Sequence, residues 1–94
     1  MDAVHKLKLA AEICYSWSHV KYYRAFLALI DSLKDEGYSV SYNLTRINGG
    51  KGELEIYVNK DGKMYTVFSK MQSNEWLDDK NIQDTVIKIK EIVN

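Results

Sequence analysis

The chain opens with an alternation of apolar and polar residues, passes through a recurrence every three or four positions, and then alternates again. Over residues 6–15, Leu7, Leu9, Ala11 and Ile13 alternate with Lys8, Ala10, Glu12 and Cys14, which predicts a first strand. Ala10 and Cys14 share its less polar second face, so the pattern predicts protein cover there too. Over residues 19–36, Val20, Tyr23, Leu27 and Ile30, with Phe26 and Leu33 beside them, recur at helical spacing and predict a wide apolar stripe. Ser16 or Ser18 supplies the N-cap, because a hydroxyl accepts from otherwise orphan amides. Gly37 supplies a left-handed stop. Tyr38, Val40, Tyr42 and Leu44 then alternate with Ser39, Ser41, Asn43 and Thr45, the clearest strand pattern in the chain. Residues 46–52 read as a glycine-rich loop. Residues 53–58 and 63–68 read as strands joined through Asn59, Lys60, Asp61 and Gly62, whose Asp-Gly pair favours a hairpin. Residues 69–77 read as a loop carrying Trp76. Asp78 or Asp79 caps a last helix, with Ile82, Val86, Ile89 and Val93 on one stripe.

The order β-α-β-β-β-α predicts an α/β fold with a four-stranded mixed sheet and two helices. A strand, a long amphipathic helix and a second strand favour a parallel pair with a right-handed crossover. The hairpin then extends the sheet antiparallel and the last helix packs on a face. This is the thioredoxin-like arrangement in its minimal form. A ferredoxin-like split fold would place the second helix before the last strand, so the order argues against it. Residues 1–94 are expected to form a single domain, since a chain of this length supports one core and not two. No internal repeat, linker or low-complexity segment interrupts it.

Composition narrows the function classes. Lys and Arg number 13 and Asp and Glu 13, interspersed along the chain, so no overall field draws nucleic acid or anionic lipid. The hydrophobic fraction of 46% and charged fraction of 28% are those of a soluble globular chain. No apolar run reaches the ~20 residues of a membrane span, and the first residues lack the apolar block of a signal peptide. The single cysteine excludes an internal disulfide and a multi-cysteine zinc site, and points to a cytoplasmic location. With no proline, a cis-proline loop of the thioredoxin kind has no residue to form it.

The segment from Ile13 to Arg24 reads as a strand end, a short loop and the first turn of a helix. A helix N-terminus there can stabilise a thiolate or bind an anion. Tyr15, Arg24-Ala25, Gly49-Gly50, Leu54-Glu55-Ile56-Tyr57-Val58 and Ser69-Lys70 follow one another in an order that resembles the selenoprotein W-like (Rdx) family of small thioredoxin-fold proteins. The resemblance spans about residues 7 to 93. Family members carry a strand ending Tyr-Cys-x-x-Cys, or selenocysteine in place of one cysteine, with Arg-Ala five residues after the second. Aligning Arg24 on the family arginine puts Ser16 and His19 where the redox pair would be and leaves Cys14 two residues early, inside the strand. The hairpin is about four residues longer than in the family. Trp76-Leu77 stands where the family often has Gly-Phe-Pro. The resemblance thus implies the fold without the redox pair.

Each candidate group has a plain reading beside a functional one. Cys14 could act as a lone thiol, in a mixed disulfide with glutathione or a partner, only if it reached the loop; otherwise it is a buried structural cysteine. A Ser16 hydroxyl is too weak an acid to ionise at a helix N-terminus. His19 could serve Ser16 as a general base, but no acid is placed to orient it, and the plain reading of a solvent-exposed first-turn residue is the favoured one. His5 lies near the chain start. Two isolated histidines offer no metal spacing, so no metal or cofactor is expected. Gly49-Gly50-Lys51-Gly52 leads into a strand and lacks a P-loop ending, which reads as a plain connection. Trp17, Tyr22, Trp76 and Phe68 could gather at the sheet end as an exposed aromatic, protein-binding surface, with Ser18 and Arg24 beside them. For Trp17, core and surface readings stand level. A nucleic-acid platform would need a basic groove that this neutral chain lacks. The strand at 38–45 or the hairpin could leave an unpaired edge, which leaves room for a homodimer.

The sequence therefore supports a non-catalytic, thioredoxin-like protein-interaction module with a degenerate redox site, Ser16 and His19 standing for the cysteine pair. A residual thiol-redox protein using Cys14 is the alternative.

Overall fold

β1 (Lys6–Tyr15) lies between two neighbours and sets the register of the whole sheet. The computed structural model describes residues 6–15, 19–48 and 54–94, with the side chains of Cys14, Tyr15, His19, Ile47 and Asn48 outside that description. α1 (His19–Asp35) returns the chain so that β2 (Ser39–Asn48) pairs with β1 in parallel, from Lys6↔Ser39 to Tyr15↔Asn48. β3 (Leu54–Lys60) pairs antiparallel with the other side of β1, and β4 (Lys63–Ser69) antiparallel with β3. The order across the sheet is β2-β1-β3-β4, so β2 and β4 are its edges. α2 (Lys70–Ser73) is one turn, and α3 (Asp79–Val93) closes the described chain. The architecture is an α/β fold with a four-stranded mixed sheet and three helices.

The third helix corrects the two-helix expectation. Ser69, read from the sequence as the start of a loop, instead caps a turn: its Oγ accepts from the Gln72 amide at 3.1 Å. Ser73 Oγ donates to the Ser69 carbonyl at 2.8 Å, and Asn74, at φ 56°, ends the turn in the left-handed region. Other local signals behave as their chemistry demands. Gly37, at φ 96°, closes α1: its amide bonds the Lys34 carbonyl at 2.9 Å, and the Tyr38 amide bonds that of Leu33 at 3.1 Å. This is a Schellman closure, and it needs a residue without a Cβ penalty. Asp61 and Gly62 both have positive φ (55° and 83°), the geometry of a two-residue hairpin turn that follows the strand twist. Asp78, not Asp79, caps α3, its Oδ1 accepting from the Asn81 amide at 2.9 Å. β2 runs to Asn48, past the expected start of the loop, because its parallel partner runs equally far.

The core lies on one face of the sheet. Leu7, Leu9, Ala11 and Ile13 of β1 and Leu54, Ile56 and Val58 of β3 are all at most 3% exposed, and α1 and α3 pack over them and against each other. Between Ile56↔Phe68 and Tyr57↔Thr66 the β3–β4 ladder carries a bulge, which leaves Val67 unpaired. A bulge turns two successive residues toward one side, and Val67 and Phe68 are both buried.

Two expectations about burial change. The buried stripe of α1 is Tyr22, Phe26, Leu29, Ile30 and Leu33, while Val20 is 45% exposed and Tyr23 and Leu27 are half-buried. Each residue turns a helix by about 100°, so a wide apolar stripe leaves its seating to the partners it meets. Here the sheet and α3 take the residues one step around from those the spacing favours. The second face of the sheet is not covered as Ala10 suggested: Lys8, Ser41, Asn43, Met64 and Thr66 are exposed there and Ala10 is half-buried.

Candidate functional site

The first turns of α1 meet the segment after α2 at the end of the sheet where β1 finishes. Tyr22 is 9% exposed because it sits on the core stripe of α1. Trp76 packs on it from the loop before α3, ring centroids 5.0 Å apart and planes at 47°. The start of α3 holds that loop: Asn81 Nδ2 donates to the Trp76 carbonyl at 2.6 Å, and the Asp78 amide donates to the same carbonyl at 2.9 Å. Leu77, next in the chain, is 2% exposed and anchors the segment from below. Two cations border the rings: Lys21 Nζ lies 4.7 Å from the Trp76 ring centroid, and Lys70 Nζ lies 5.8 Å from that of Tyr22. Arg24 is exposed on the next turn of α1.

The structure thus brings together Tyr22 and Trp76, as the sequence suggested, and adds Lys21 and Lys70, which the sequence reading missed. It corrects the exposed aromatic cluster: Tyr22 and Phe68 (8% exposed) belong to the core, and Trp76 is half-buried. Ser16, Trp17 and Ser18, the expected caps and the loop tryptophan, lie outside the described residues, as do His5 and the glycines at 49, 50 and 52. Cys14 pairs with Ile47 near the end of the β1–β2 ladder, and His19 begins α1. Chemically, this end offers half-buried aromatic surface bordered by positive charge. Such a surface suits an apolar or anionic segment of a partner, since a cation over a ring contributes ~0.5–1 kcal/mol at an exposed site and adapts to a new contact.

A second set of polar groups occupies the open face of the sheet. Glu12 of β1 stands directly opposite Glu55 of β3, and Glu55 opposite Ser69 of β4. Tyr57 donates its phenolic hydrogen to Glu12 Oε1 at 2.6 Å, and Ser69 Oγ donates to Glu55 Oε1 at 2.6 Å. The bond to Glu12 favours the neutral phenol, and partial burial and the two carboxylates add to it, so the Tyr57 pKa is pushed up to about 12. Glu55 Oε2 is buried without a hydrogen-bond partner. The only signal for this cluster in the sequence is parity, since Glu12, Glu55 and Tyr57 all sit on the polar phase of their strands; their pairing requires the register. Among the described residues, no three His, Cys, Asp or Glu side chains converge as a metal site, and no helix is long and apolar enough to cross a membrane.

No family model matches the chain, and neither the curated proteins nor the solved structures compared with it include a match.

Proposed function

We propose that the chain is a non-catalytic protein-interaction module of thioredoxin-like, selenoprotein W-like type. It takes a protein partner through residues 15–20 and the Trp76 segment. The observation that carries this reading is the Tyr22–Trp76 ring pair with Lys21 4.7 Å above the tryptophan. Aromatic surface and a cation meet there at the carboxyl end of β1, where α/β folds gather their ligands. The sheet order β2-β1-β3-β4, with its parallel pair joined through α1, is the order expected of a minimal thioredoxin-like fold. With Ser16 and His19 at the positions of the cysteine pair, the resemblance supplies no second thiol for disulfide exchange.

Affinity capture from an extract of the source cells, read by quantitative mass spectrometry, tests the proposal. Lys21→Glu reverses one exposed charge without touching the core. A protein held by the wild-type chain and by Cys14→Ser, and lost with Lys21→Glu, supports the binding surface. Capture that disappears with Cys14→Ser, or that a reductant releases, transfers the function to the lone thiol.

A further inference from the structure

The two edges of the sheet are finished in opposite ways. β4 is 7 residues long and bulged at Val67, begins with Lys63, and borders a groove of about 440 Å3 toward α3. These are the devices by which an edge avoids pairing with another strand. β2 has neither the bulge nor the short length. It runs 10 residues in unbroken register with β1; Arg46 is its one charged residue, and residues 39–45 carry no charge, proline or glycine. Among the described residues nothing pairs with its outer side.

Beside that edge the protein leaves apolar surface exposed. Val20 is 45% exposed and Tyr42 38%, while Tyr23, Val40 and Leu44 are half-buried. Val20 and Tyr23 line a small cleft with Ile13, Leu44 and Arg46, and Tyr42 packs its ring edge-on to Phe26 at 5.2 Å. The apolar stripe of α1 is wider than the core uses, and the surplus borders the unpaired strand.

We infer that β2 is a self-association edge, and that its occupant is β2 of a second copy, antiparallel about a two-fold axis through Tyr42. In that register Val40 meets Leu44 of the second copy and Tyr42 meets its equivalent, all on the apolar side. On the open face Ser41 meets Asn43 and Ser39 meets Thr45. Every cross-strand pair joins residues of like character and none opposes like charges, as stable sheet pairing requires. The chain's formal net charge of zero adds no long-range repulsion between copies. The paired stretch 39–45 spans about 23 Å, and with the flank of one helix it covers roughly 400 Å2 of each copy. That falls short of the ~800 Å2 per partner of a standard interface, so the dimer forms and dissociates with concentration.

Sedimentation velocity across a dilution series is the test, with two double variants at exposed open-face positions. Ser41→Lys with Asn43→Lys places two lysine pairs across the two-fold axis and is expected to weaken the dimer about tenfold or more. Ser41→Lys with Asn43→Glu places two opposite-charge pairs there and is expected to keep the wild-type constant within about threefold. A wild-type chain that stays monomeric at every concentration overturns the inference. So does a dimer that responds equally to both variants, because its interface then lies elsewhere. Circular dichroism of each variant confirms that the fold is retained.

Discussion

On the helix-covered face of the sheet, Leu9, Ile13, Leu54 and Ile56 are at most 3% exposed; one position along the same strands, Lys8 stands in solvent and Glu12 faces Glu55. The covered face is held by close packing and, among the described side chains, has no polar group to satisfy in β1 or β3 until Lys60. The open face is a polar lattice whose contacts are hydrogen bonds with one buried oxygen left unpartnered. Stability and adaptability are therefore divided between the faces. A side chain's parity in the strand decides which of them it serves.

The largest expected effect separates the faces outright. Phe26→Ala removes a fully buried ring that packs from α1 toward β2, and should cost about 3–5 kcal/mol in a urea titration. Met64→Ala, 49% exposed on the other face, should stay within about 0.5 kcal/mol. Comparable losses would mean that the open face is packed as well.

The next effect is intermediate and depends on pH. Tyr57→Phe removes the bond to Glu12 and should cost about 1 kcal/mol at neutral pH. The folded phenol titrates above its ordinary value of 10.0, near 12, so the bond stabilises the fold fully below pH 10 and is lost between there and 12. Alkaline absorbance should lose a late-titrating tyrosine in Tyr57→Phe and show it moved down in Glu12→Gln. A Tyr57→Phe penalty that does not shrink as pH climbs past 10 would break this assignment.

The smallest effect has the opposite sign. Glu55→Gln removes one of two facing carboxylates and keeps an acceptor for Ser69, so it should raise the unfolding free energy by up to ~1 kcal/mol. Destabilisation would show that the Glu55 charge is held by a group the strands do not supply.

Strand parity, the Asp61-Gly62 turn and the Gly37 stop were legible in the sequence because each is set by residues close together in the chain. The phase of α1 was not, since Val20 and Tyr22 lie on one broad apolar arc and only the sheet and α3 choose between them. The bulge at Val67 and the turn at Ser69 escaped for a related reason. Both depend on what stands across from them in β3, which local spacing does not carry. At the candidate site, Tyr22 and Trp76 could be brought together from element order alone. The cations at Lys21 and Lys70, and the pairing of Glu12 with Glu55 and Tyr57, needed the register and the helix orientation.

The most direct measurement is the alkylation rate of Cys14 in the folded protein as a function of pH. A non-catalytic module needs no activated thiol, so modification should be slow until denaturant is added, or rise only through the ~8.5 of an ordinary cysteine. Fast modification with an apparent pKa well below that value would contradict it and make Cys14 the working group of the protein.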